Sequence, residues 1–179
     1  IQGGVSVVQL REKEASSREL FELAKRVKRV TDKYDVPLII NDRLDICLAV
    51  DAAGVHLGQT DLPCSMARRI LGAEKIIGVS AATPEEAAKA QSDGADYLGV
   101  GAVFATSTKT NTRPVTAETI RAIRSAVDIP FVVIGGVNSE NISGLYGLGI
   151  NGAAVISAII SQPDITAAAR KMRQAAERL

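Results

Sequence analysis

Seven short apolar runs rich in Val and Ile punctuate the chain: VSVVQL (5–10), PLIIND (37–42), AGVHLG (53–58), KIIGVS (75–80), DYLGVGAVF (96–104), PFVVIGGV (130–137) and GAAVISAI (152–159). They are continuous rather than alternating, as expected of parallel strands covered on both faces. Helical patterns lie between them. SSRELFELAKRVKRVTDKY begins with a Ser cap and puts Leu20, Leu23, Ala24, Val27 and Val30 on one face. SMARRILG, TPEEAAKAQSDG, TAETIRAIRSAV, NSENISGLYGLG and DITAAARKMRQAAERL follow in order. In TPEEA, Thr83 reads as the cap, Pro84 as the first helical position and Glu86 as the residue closing a capping box.

Strand–helix alternation means a parallel α/β sheet, either a closed barrel or a doubly wound sheet. Polar residues at the carboxyl end of nearly every run, the regular unit length and the lack of Gly-x-Gly-x-x-Gly after the first run favour a TIM (β/α)8 barrel. Such a barrel needs an eighth strand. IQGGVSVVQL reads like a second βα unit, with Ile1–Gly4 ending the one before, so a first βα unit is expected to be missing from this chain. No Ser- or Gly-rich linker divides the sequence, so residues 1–179 read as a single barrel domain.

Composition narrows the function classes. Lys plus Arg is 21 and Asp plus Glu is 20, which leaves no basic surplus for nucleic acid. With no Trp, three Tyr and three Phe, the chain lacks rings for a base-stacking platform. Its apolar runs fall well short of the roughly 20 residues of a membrane span. Cys47 and Cys64 have no metal-type spacing and read as reduced thiols, which suggests a cytoplasmic protein.

The chemistry should gather at the carboxyl ends of the strands. Those ends carry Gln9, Arg11 and Lys13; Asn41 and Asp42; Gln59 and Asp61; Ser80; Thr106, Thr108 and Lys109; Gly135 and Gly136; and Ile156 and Ser157. Asp42 and Asp61 follow adjacent strands and would suit one hard cation such as Mg²⁺. The plainer alternative is that Asp42 caps a turn and Asp61 the next helix. Arg11, Lys13 and Lys109 fall at the same mouth, where three cations and a metal suit a pyrophosphate. Gly135, Gly136 and Ser157, after the last two strands, occupy a common phosphate-binding position of barrels. FATSTKTNTRP (104–114) reads as a lid loop. His56, inside a strand run, reads as a packed core histidine rather than a base.

VQLREK, NDRLDICLAVDAAGVHLGQTDL, GVSA, GAVFATSTKTNT, VIGGV and GAAVISAI, in this order and spacing, resemble the thiamine-phosphate synthase (thiamine-phosphate pyrophosphorylase) family. The resemblance implies a transferase that joins a hydroxymethylpyrimidine pyrophosphate to a thiazole phosphate, releasing pyrophosphate and forming thiamine phosphate. It implies Gln9 and Ser80 at the pyrimidine, Arg11, Lys13, Asn41 and Lys109 at the pyrophosphate, and Asp42 and Asp61 on Mg²⁺. Thr106, Thr108, Gly136, Ile156 and Ser157 fall to the thiazole phosphate. Its expected partners are these small molecules, neither nucleic acid nor membrane, with a possible homo-oligomer. The chain departs from the family at Ala82, where His is frequent, at Ala102 and Ala105, where Pro is common, and in the missing first unit. A thiazole tautomerase-like barrel and a non-catalytic phosphate-ligand binder are the alternatives; the former uses a histidine where Ala82 stands.

Overall fold

The computed structural model describes residues 1–105 and 114–179. Seven parallel strands form one sheet in chain order: β1 (Val8–Leu10), β2 (Leu38–Asn41), β3 (Gly54–Leu57), β4 (Ile76–Ala81), β5 (Tyr97–Val100), β6 (Phe131–Ile134) and β7 (Gly152–Ala154). Between them run α1 (Ser17–Lys33), α2 (Leu44–Ala49), α3 (Cys64–Leu71), α4 (Pro84–Ser92) and α5 (Ala117–Ala126), with α6 (Ser157–Ile160) and α7 (Ile165–Ala176) closing the chain. Each neighbouring strand pair is parallel, and among the described residues no pairing joins β7 to β1. The result is a curled, TIM-barrel-like α/β sheet left open on one side.

Every predicted apolar run contains a strand, because parallel strands covered on both faces must be apolar throughout. Leu38, Ile39, Ile40, Val55, Ile77, Leu98, Phe131 and Val133 are all buried. Each such side chain is worth roughly 1.5–3 kcal/mol removed from water. The two edges differ from this interior. No residue of β1 or β7 is fully buried, and Val7 and Ile156 beside them are 48% and 47% exposed.

The helices follow their caps. Ser16 accepts a hydrogen bond from Glu19 N–H while the Glu19 carboxylate accepts from Ser16 N–H, so α1 starts on a full capping box. Its buried stripe is Leu20, Ala24 and Thr31; Leu23 and Val27 are half-buried and Val30, expected inside, is exposed. Thr83 Oγ1 accepts from Glu86 N–H as predicted, and the Glu86 carboxylate accepts from Ala82 N–H, drawing the β4–α4 loop onto the helix start.

Three segments depart from the sequence expectation. LDICLA forms α2 without any side-chain cap at Arg43, so no start signal announced it. NSENISGLYGLG yields only a 3₁₀ turn at Ile142–Leu145, because Gly147 and Gly149 take positive φ and end it. GAAVISAI divides into β7 and the short α6 rather than one strand.

Candidate active site

The carboxyl ends of β1, β2 and β3 bring the predicted charges together. Lys13 Nζ lies 3.1 Å from Asp42 Oδ2. Asp42 holds φ at 63°, a left-handed conformation that Asp and Asn tolerate better than other side chains, and its N–H donates to His56 O at 2.9 Å. This backbone bond ties the end of β2 to β3 and turns the carboxylate toward the mouth. Asp61 Oδ2 accepts from Gly58 N–H at 2.6 Å, closing its own loop. It does not cap α3, whose cap is Pro63, and Asp42 makes no cap for α2. Burial raises the Asp61 carboxyl above its usual value, a hydrogen bond with Asp42 raises it further, and the Gly58 N–H and the Lys13 charge partly offset this. Two carboxylates close enough to share a proton are a donor set that a hard cation would suit. Among the described residues no cluster of three His, Cys, Asp or Glu side chains gathers, so the protein would supply two such ligands and leave further positions to substrate oxygens or water.

Arg11 Nε is buried without a hydrogen-bond partner among the described residues. A buried guanidinium donor left unpaired is costly, and an anion at this mouth would satisfy it. Asn41 ends β2 beside His56 in the β2–β3 register.

Across the opening, the β6 end is built from backbone. Gly136 takes φ of 68°, its carbonyl accepts from Asn141 Nδ2 at 2.9 Å, and a Cβ there would overlap Ala105 O and come within 2.8 Å of Phe104 Cβ. Gly135 likewise has positive φ and accepts from Phe104 N–H. Ile156 caps α6 and is exposed, and Ser157 is the first residue of that turn. Thr106, Thr108 and Lys109, with the body of the expected lid loop, lie outside the described residues.

Inside the mouth, Ser80 Oγ is 3.0 Å from His56 Nε2, and its carbonyl accepts from Gln59 Nε2 at 2.7 Å. His56 Nδ1 is 2.9 Å from Tyr97 Oη. Burial holds the Tyr97 hydroxyl far above its usual pKa, only partly offset by the Gln9 side chain. His56 is therefore buried, as expected, and also linked to a predicted site residue. Tyr97 is the residue that sequence reasoning missed. The available signal was the pair Gly78 and Gly99, since glycines inside strands mark close approach of another group.

A sequence profile of the thiamine monophosphate synthase family matches residues 1–159. The chain belongs to this family. A thiamine-phosphate synthase of Ruminiclostridium cellulolyticum is 58% identical over 96% of this chain and 82% of its own length. One of Clostridium botulinum is 51% identical over 100% of this chain and 84% of its own. The solved thiamine phosphate pyrophosphorylase of Pyrococcus furiosus superposes with a TM-score of 0.91 at 40% identity, covering 98% of this chain and 85% of that one. Family membership makes the chain an enzyme of thiamine biosynthesis, a transferase. No helix among the described residues is long and apolar enough to cross a membrane.

Proposed function

We propose that the chain carries out the thiamine-phosphate synthase reaction with its two anions divided between the two sides of the rim. The pyrimidine pyrophosphate lies at β1–β4. Arg11, Lys13 and Asn41 bind its phosphates, Lys109 approaches from the β5 side, and Gln9 and Ser80 face the pyrimidine ring. Asp42 and Asp61 would hold Mg²⁺, which supplies charge neutralisation for the departing pyrophosphate. The thiazole phosphate lies at β6–β7, its phosphate against Gly136, Ile156 and Ser157, with Thr106 and Thr108 from the loop.

In the reaction the bond between the pyrimidine methylene carbon and the pyrophosphate oxygen breaks, and both electrons leave with oxygen. Arg11 and Lys13 take up the growing negative charge, which favours an ionised, dissociative path. The thiazole nitrogen lone pair then forms the new carbon–nitrogen bond. No histidine or carboxylate is needed as a base, because the nitrogen that attacks carries no proton. The observation that carries this reading is the buried Arg11 Nε, unpartnered among the described residues, on the same side of the rim as the Lys13–Asp42 pair.

The open side of the sheet belongs to the same proposal. Among the described residues β1 and β7 each keep one unpaired edge, flanked by exposed Val7 and Ile156. One further parallel strand, from a βα unit ahead of β1, would complete an eight-stranded barrel and cover them.

Pyrophosphate release, measured with Mg²⁺ and pyrimidine pyrophosphate with and without thiazole phosphate, tests the function. The expected result is release matched one-to-one by thiamine phosphate and lost on chelation of the metal. Isomerisation of the thiazole phosphate without release would instead support the tautomerase alternative.

A further inference from the structure

Beneath the mouth, three adjacent strands contribute to one polar chain: His56 from β3, Ser80 from β4 and Tyr97 from β5. The His56 and Tyr97 ring centroids are 5.5 Å apart, and glycines on β4 and β5 make room for both. A Cβ at Gly78 would overlap the Tyr97 ring, and one at Gly99 would come within 2.9 Å of His56 Cε1. Strand-interior glycine weakens a sheet. Two of them set against these two rings mark a lumen shaped around the pair.

The donors in this chain are limited. A phenol has one proton, and a neutral imidazole has one donor and one acceptor nitrogen. His56 has a hydroxyl at each ring nitrogen, and the Tyr97 phenol is far more acidic than the Ser80 alcohol, so it is the better donor to a bare nitrogen. The phenol proton therefore goes to His56 Nδ1. An Nδ1–H would turn the phenol proton away from the ring and leave it to find another acceptor in a largely buried position.

We infer that His56 and Tyr97 are positioning residues for the pyrimidine end of the site. The relay from Tyr97 through His56 to Ser80 holds His56 as the Nε2–H tautomer. Nε2–H donates to Ser80 Oγ, and the serine proton turns outward as a donor to a ring nitrogen. The inference rests on the reading that Gln9 and Ser80 face the pyrimidine.

Two measurements test it and separate its failure from that of the site reading. The chain has one histidine, so nitrogen NMR of the labelled imidazole reports the tautomer without ambiguity. The ligand-free protein at neutral pH is expected to show a protonated Nε2 and a bare Nδ1, a preference that weakens in Tyr97→Phe. An Nδ1–H or doubly protonated ring would overturn the relay whatever binds above it. In steady-state kinetics, Tyr97→Phe and His56→Leu should each raise KM for the pyrimidine pyrophosphate about three- to tenfold, the loss of one neutral hydrogen bond. KM for the thiazole phosphate should stay unchanged. His56→Gln, which keeps a donor nitrogen for Ser80, should recover most of the loss. Equal rises for both substrates, or no recovery in His56→Gln, would overturn the positioning role. Ser80→Ala serves as the control: if it leaves KM for the pyrimidine pyrophosphate unchanged, the site reading fails and the positioning role with it, while the tautomer result stands separately.

Discussion

The β1–β3 side of the rim presents charged side chains: Arg11, Lys13, Asp42 and Asp61, with an ion pair at 3.1 Å and two interacting carboxylates. On the β6–β7 side the predicted site residues Gly136, Ile156 and Ser157 carry no charge, and they offer backbone groups and one hydroxyl. A leaving pyrophosphate must be drawn off as its charge grows, so charge there changes the rate. A thiazole phosphate need only be held, which backbone donors and hydroxyls can do at equal strength in ground and transition states. In the proposed reading, this division of materials matches a division between chemistry and binding.

The largest expected effect comes from removing a carboxylate. Asp42→Asn should lower turnover at least about a hundredfold, more than the loss from disturbing a metal ligand's outer partners. The melting temperature should stay close to wild type, since Asn tolerates the φ of 63° found there. Alanine would be a poorer probe because it adds backbone strain at that φ. Initial rates against Mg²⁺ concentration make the check, and near-normal turnover would remove Asp42 from the metal.

Next, Arg11→Lys keeps the charge and removes the buried Nε–H. Losing charged hydrogen bonds should weaken pyrimidine pyrophosphate binding by roughly 10- to 100-fold. KM for the thiazole phosphate should not follow. If both move together, the two sides of the rim are one anion site and the comparison fails.

Gly136→Ala probes the neutral side. Its Cβ would overlap Ala105 O at a positive φ, so a stability loss of about 1–2 kcal/mol is expected, with thiazole phosphate affinity falling. Thermal unfolding together with both KM values reads it out. An effect confined to the pyrimidine pyrophosphate would place Gly136 on the wrong side.

The smallest effect concerns pH. Asp61 has a raised carboxyl pKa, so its protonated form is favoured in the folded protein. That contribution is fully present below the ordinary aspartate value and is lost as pH rises through the raised one. Metal-free protein should therefore melt slightly higher on mild acidification from neutral pH. Asp61→Asn should flatten this slope while still losing activity. An unchanged slope in Asp61→Asn would show that the proton is taken up elsewhere.

Much of this arrangement was legible in the residues alone. Parallel strands covered on both faces read as apolar runs, so all seven were found, and the rule that barrel chemistry sits at strand carboxyl ends then selected Arg11, Lys13, Asp42 and Asp61. What escaped depends on curvature or on weak local signals. α2 has no side-chain cap. Val30 fits the helical period and yet faces solvent, because the inner stripe runs through Thr31 instead. Tyr97 sits at the entry of β5, paired in register with Gly78, and looks like an ordinary strand start until the sheet curls and brings its hydroxyl to His56. Only Gly78 and Gly99 hinted that the lumen held rings.

The central claim is that two anions bind at once, on chemically different sides of one rim. Calorimetric titration of thiazole phosphate into protein already holding stoichiometric Mg²⁺–pyrophosphate tests it most directly. The account predicts that thiazole phosphate still binds one-to-one, and that the Asp42→Asn protein retains this binding while losing tight, Mg²⁺-dependent pyrophosphate binding. Displacement of pyrophosphate by thiazole phosphate would contradict it.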